Sequence, residues 1–185
     1  MPGENLTRIE AQERAKSVSV QSYLVELDLT KSTEVFDSKT TVNFSATGQS
    51  VFIDAITAKV HSVILNGEAL DVASVSDGTR IQLTGLKAEN ELVVHSDAKF
   101  MNTGEGLHRF VDPVDNEVYV YTQFEVPDSR RVFAVFEQPD LKATFEFHVT
   151  APENWKVVSN QTTPTAVSLG EGKARWSFAP TKRIS

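Results

Sequence analysis

From Ser17 onward apolar residues recur at every second position, and no other feature limits the possible folds as much. Tyr23, Val25, Leu27 and Leu29 alternate with Leu24, Glu26, Asp28 and Thr30, the period of a strand with one buried face. The alternation returns in Val42-Phe44-Ala46, Val51-Ile53, Val60 to Leu65, Ile81-Leu83 and Leu92-Val94, with turn residues between the runs. Asn66-Gly67 predicts a tight hairpin turn, because both residues tolerate positive φ, and Ser76-Asp77-Gly78 predicts a second turn. After a looser stretch from Phe100 to Asn116, strands are expected at Glu117 to Phe124, Leu141 to Thr150, Trp155 to Ser159 and Ala174 to Phe178. Helical spacing is confined to a lead-in over residues 1–16. There Asn5 or Thr7 can cap, Glu10 stands where a capping box needs it, and Leu6, Ile9 and Ala15 give a sparse apolar face. About ten strands and one short helix predict an all-β fold, a saddle-like β-sandwich of antiparallel and mixed sheets forming one domain over residues 1–185.

Composition narrows the function classes. The chain has 40% hydrophobic and 23% charged residues, which is globular rather than disordered. Its 25 acidic and 18 basic side chains give a net charge of -7, without the basic patch that nucleic acid requires. No nucleic-acid partner is expected. Nor is a membrane partner, since no run approaches the ~20 apolar residues of a span and the N-terminus lacks a signal-peptide apolar core. The absence of cysteine excludes disulfides and thiolate metal sites and points to a cytoplasmic location.

Self-contained catalytic chemistry is thin. His61, His95, His108 and His148 are far apart and form no i,i+4 pair, so each reads as a strand or loop residue and no metal site is expected in the chain. No nucleophile elbow, P-loop or dinucleotide fingerprint occurs. Asp112, Asp115 and Glu117 lack the spacing of a calcium loop and read as a solvated turn. The chain stops at Pro180 to Ser185 just after an expected strand, which suggests a domain of a longer protein.

One long stretch carries more. Thr122-Gln123-Phe124-Glu125, then Asp128-Ser129-Arg130-Arg131-Val132-Phe133-Ala134-Val135-Phe136-Glu137-Gln138-Pro139 and Lys142-Ala143-Thr144-Phe145, closely resembles the end of the N-terminal domain of aminopeptidase N zinc metallopeptidases. In that family a T-Q-x-E run precedes D-x-R-x-x-F-P-C-x-D-E-P-x-x-K-A-x-F. The segment from Thr103 to Phe110, the last strands, and an opening similar to actinobacterial members extend the resemblance over the whole chain. Ala134, Val135 and Gln138 stand where the family has Pro, Cys and an acidic residue, changes expected to touch packing and surface pairing.

The resemblance implies an aminopeptidase whose zinc sits on an H-E-x-x-H motif in a following catalytic domain, onto which this domain docks. It implies that the substrate is a peptide with a free N-terminus. Glu125 resembles the glutamate that holds the α-ammonium, and Gln123 the glutamine lining the pocket for the first side chain. Two residues apart on a strand, they would leave the same face. The competing reading pairs Glu125 with Arg130 or Arg131. No catalytic residue and no cofactor are expected within the chain itself. From fold alone, a stand-alone carbohydrate- or protein-binding β-sandwich is the other possibility.

Overall fold

The computed structural model describes residues 5–125 and 127–185. It is built mostly of strands. In chain order they are α1 (Arg8–Ser17), β1 (Val18–Asp28), β2 (Val35–Ala46), β3 (Ser50–Asp54), β4 (Lys59–Leu65), β5 (Glu68–Leu70), the single turn α2 (Val72–Val75), β6 (Arg80–Thr84), β7 (Glu89–Lys99), β8 (Gly106–Val111), β9 (Val118–Gln123), the 3-10 turn η1 (Ser129–Arg131), β10 (Thr144–Pro152), β11 (Val167–Gly170) and β12 (Lys173–Ser177). Eight strands form one sheet in the order β11-β12-β10-β1-β2-β7-β4-β5, and β3-β6 and β8-β9 are two-stranded ribbons. β1 and β10 run parallel while the other pairs are antiparallel. The sheet is therefore mixed.

Alternation decides which face is covered. Val20, Tyr23 and Val25 of β1, Phe36, Val42 and Phe44 of β2 and Leu92 and Val94 of β7 are at most 2% exposed. They meet Ile53, Ile81 and Leu83 of the β3-β6 ribbon and Val132 to Phe136 of the segment after η1 in one apolar cluster. A smaller cluster lies under β10 and β12 around Ala151, Trp176 and Phe178. Asn66 and Gly67, at φ 54° and 83°, join β4 to β5 as the turn chemistry requires. No helix among the described residues is long and apolar enough to cross a membrane.

Three expectations need correction. The stretch before Asn116 contains β8, which pairs with β9 along its whole length. Trp155 to Ser159 is not a strand: Trp155 N–H bonds the Pro152 carbonyl in a turn, and Trp155 and Val157 pack on the small core. Its alternation reflects packing rather than a ladder. The edge strand beside β12 is instead β11, whose residues are all exposed.

α1 starts at the capping box read from Thr7 and Glu10, but Ile9 and Ala15 are exposed and its buried residue is Arg14. A polar network holds the helix. Arg14 Nη1 lies 2.7 Å from Asp54 Oδ2, and both side chains are 1% exposed. Arg80, equally buried, takes Glu10 Oε1 at 2.6 Å and lies over the Phe52 ring at 4.0 Å. The bond from Arg80 holds the Glu10 carboxyl down at about 2, with the Thr7 bonds assisting against partial desolvation. A depressed carboxylate stabilises the fold above its ordinary pKa of 4.5, and that contribution disappears as pH falls towards 2. Glu10→Gln, which keeps the capping box, should cost about 1–2 kcal/mol at neutral pH, less than a fully buried charge because Glu10 is 26% exposed. Denaturant titrations from pH 7 to 2 should show its stability profile flatter than the wild type's between 4.5 and 2; parallel profiles would contradict the Arg80 pairing.

Candidate functional site

Gln123 is the last residue of β9 and pairs with Gly106 of β8. The ladder stops there, so the strand expected through Phe124 ends a residue early and Glu125 stands on the following turn. The two side chains nevertheless share an environment for a different reason. Phe124 turns inward and meets Phe133 edge-on at 5.8 Å, leaving Gln123 and Glu125 exposed on either side of it. The Glu125 N–H donates to Gln123 Oε1 at 3.3 Å, which ties the pair locally. Val126, next in the chain, lies outside the described residues.

The inward Phe124 is well anchored. Phe133 meets Phe145 and Phe147 edge-on at 6.3 and 5.9 Å, and Phe145 stacks on Tyr23 at 4.6 Å. Phe124 also lines two cavities. One, of about 220 Å³, runs past Phe133, Leu141 and Ile184; the other, of about 320 Å³, runs past Leu107, Val120 and Trp155. An exposed carboxylate and a carboxamide thus flank an aromatic ring that borders apolar space, a combination suited to a ligand with one cationic and one apolar part.

The turn beyond Glu125 is fixed by its own polar contacts. Glu137 Oε2 accepts from Ser129 Oγ at 2.5 Å and from the Arg130 N–H at 2.7 Å. Burial pushes the Glu137 carboxyl up despite these bonds, which oppose the shift. Arg130 Nε donates to the Pro127 carbonyl at 2.8 Å and its Nη2 to Asn5 Oδ1 at 3.3 Å. Arg131 Nε pairs with Asp128 at 2.8 Å, and its Nη2 lies 3.8 Å from Glu105. Gly106 completes the brace. At φ +58° a Cβ there would stand 2.9 Å from the Arg131 Cβ, so only glycine lets β8 pass this close to η1.

The departures from the family pattern have structural consequences. Val135 pairs with Asp54 through both backbone groups at 3.0 Å, linking the segment after η1 to β3. Gln138, expected in surface pairing, is buried. It accepts from Arg14 Nε at 3.0 Å and donates to the Ala11 carbonyl at 3.0 Å, clamping α1.

Other sequence candidates resolve individually. Asp112 and Asp115 accept the backbone N–H groups of Val114 and Glu117, each at 2.8 Å, as ordinary turn residues. His108 accepts the Gly104 N–H at 3.0 Å and stacks on Tyr121. His148 sits between Glu146 and Arg175. His61 and His95, distant in sequence, have ring centroids 4.9 Å apart. Pairing of β4 with β7 brings them together, and spacing along the chain could not reveal it. The β8-β9 ribbon leading to Gln123, with its connecting turn, also carries Phe110, Val111, Val114, Tyr119 and Tyr121, all at least 46% exposed.

The sequence profile of the Peptidase M1 N-terminal domain family matches residues 19–185. Aminopeptidase N of Streptomyces lividans is 56% identical over all of this chain, which corresponds to 22% of that protein. Aminopeptidase N of Acetobacter pasteurianus is 30% identical over 77% of the chain and 46% of its own length. A probable aminopeptidase 1 of Sulfurisphaera tokodaii is 25% identical over 91% of the chain and 20% of its own length. The chain therefore spans less than half of these relatives. With the profile matched from β1 to the final residue, it belongs to the Peptidase M1 N-terminal domain family.

Proposed function

We propose that this chain is the substrate-amine recognition domain of a zinc-dependent aminopeptidase, and that it works on a catalytic domain in the same polypeptide. The observation that carries the reading is the exposed Gln123 and Glu125 pair, held by an inward Phe124, in a chain 56% identical throughout to an aminopeptidase N. A carboxylate discriminates a free α-ammonium from an internal amide, because a charge-assisted hydrogen bond to the ammonium has no counterpart in the neutral amide. Gln123 can then contact the first side chain from the adjoining position.

The exposed apolar side chains of the β8-β9 ribbon support docking. An isolated two-stranded ribbon is marginally stable in water, and clustered exposed apolar residues mark surfaces that another domain covers. The zinc belongs to the catalytic domain. H-E-x-x-H does not occur in the 185 residues, so the motif expected to hold the catalytic zinc lies outside them. In this reading the chain contributes binding and orientation to the reaction, and the catalytic domain supplies the zinc.

The test uses the whole protein and a series of aminoacyl amides differing in the first side chain, each with and without an N-acetyl group. Gln123→Ala should reorder the preference among first side chains by several-fold, with a smaller general loss of kcat/KM. Acetylated substrates should remain uncleaved by both forms. A uniform loss across the series, with the order of preference intact, would remove Gln123 from the pocket.

A further inference from the structure

The large sheet carries a second polar cluster that amine recognition does not use. Asp37 of β2 and Asp97 of β7 are direct cross-strand partners, although like charges placed directly opposite destabilise a sheet. His61 interrupts the register of β4 between Val60 and Ser62. Such bulges re-aim side chains, and here Nε2 of His61 comes to 3.0 Å from Asp97 Oδ1. One ligand atom each from Asp37, His61 and Asp97 lies within 4.8 Å of the other two. Around this triad stand two further groups. His95 Nε2 bonds Asp37 Oδ1 at 2.8 Å. Lys31, from the loop after β1, bonds Asp97 and lies 3.8 Å from Asp37.

Two opposed carboxylates concentrate negative potential, and an ammonium group already occupies its focus. Lys31 is 38% exposed on a loop, so its side chain can leave without disturbing the strands. The imidazole adds a nitrogen donor, which favours borderline metals such as zinc, cobalt or nickel over magnesium and calcium. The His95 to Asp37 bond has the form of the outer contacts that orient a ligating carboxylate.

We propose that Asp37, His61 and Asp97 form a binding site for a divalent transition cation of the zinc class, with His95 bracing Asp37 and Lys31 as an internal counter-cation that the metal displaces. On binding, His61 Nε2 gives up its hydrogen to Nδ1 or to solvent, and the metal takes the lone pair. The remaining positions face solvent and are filled by water. The proposal runs against the expectation of no metal site in the chain, and a zinc titration decides between them.

Isothermal titration of the untagged 185-residue chain with zinc chloride tests the assignment, with magnesium and calcium chloride as parallel titrants. One zinc should bind per chain, more tightly than either alkaline-earth ion. His95→Gln should weaken it about 10- to 100-fold, and His61→Ala or Asp97→Asn further. Lys31→Ala should tighten it, because the competing ammonium is gone. This last variant alters an exposed loop residue, and far-UV circular dichroism checks that all four variants fold. Absence of saturable zinc binding, equal affinity for magnesium, or an affinity unchanged in both His61→Ala and Lys31→Ala would overturn the proposal.

Discussion

Asp54→Asn should be the most destabilising conservative substitution in the chain, at about 3–5 kcal/mol. Asp54 is 1% exposed and faces two buried guanidinium groups. Its Oδ2 takes Arg14 Nη1 at 2.7 Å and the Glu137 N–H at 3.2 Å, while Oδ1 lies 3.9 Å from Arg80 Nε. Asparagine keeps the shape but offers a single acceptor, and its amide hydrogens would point at a second donor. Glu10 would then remain as the carboxylate bonded to Arg80, and Arg14 would stay buried without its charged partner. Removing one member of a buried ion pair is costly for this reason, even where replacing the whole pair by apolar groups is not. At about 2–4 °C per kcal/mol for a chain of this size, the melting midpoint should fall by on the order of 10 °C. Thermal and urea denaturation followed by circular dichroism measure it. A loss below ~1 kcal/mol would mean that Gln138 and the Phe52 and Phe136 rings suffice to hold Arg14 in place.

That network shows where sequence reading fails and why. Period-two alternation correctly located the core strands because a slip of one residue would turn every apolar side chain outward. The capping box at Thr7 and the Asn66-Gly67 turn were equally legible, since each is a local hydrogen-bonding or φ requirement. Arg14, Asp54 and Arg80 were not. A charged residue in a short helix or at a strand end reads as solvent-facing, and nothing local reveals that Arg14, Asp54 and Arg80 from α1, β3 and β6 meet in the interior, where Glu10 completes their charge balance. The apolar face assigned to α1 failed with them, because the helix is anchored by Arg14. The same limit hid His61 and His95, which meet through cross-strand pairing and a bulge. β8 was passed over because Gly106 and Arg109 break the apolar rhythm, and its partner β9 supplies the ladder. In the candidate site, Gln123 and Glu125 were singled out by resemblance, and their local geometry was not legible. Gln123 and Glu125 share exposure through the anchoring of Phe124, after the strand has already ended.

In the whole protein, Glu125→Gln should lower kcat/KM for substrates with a free amine by on the order of 10²- to 10³-fold, equivalent to about 3–4 kcal/mol. If Glu125 holds the substrate ammonium in a cleft closed by the catalytic domain, the glutamine keeps its shape and removes its charge. The ammonium is then desolvated against a neutral carbonyl, and the penalty of an underpaired buried charge adds to the lost ionic bond. Because that contact serves substrate and transition state alike, most of the loss should fall on KM unless the amine anchor also sets the position of the scissile bond, in which case kcat falls too. Stability should barely change, since the Glu125 side chain is exposed and its local bond to Gln123 is made by the backbone N–H. Steady-state kinetics alongside thermal denaturation separate the two roles. A variant that melts several degrees lower yet cleaves normally when folded would assign Glu125 to an ion pair with the neighbouring arginines and would remove it from substrate recognition.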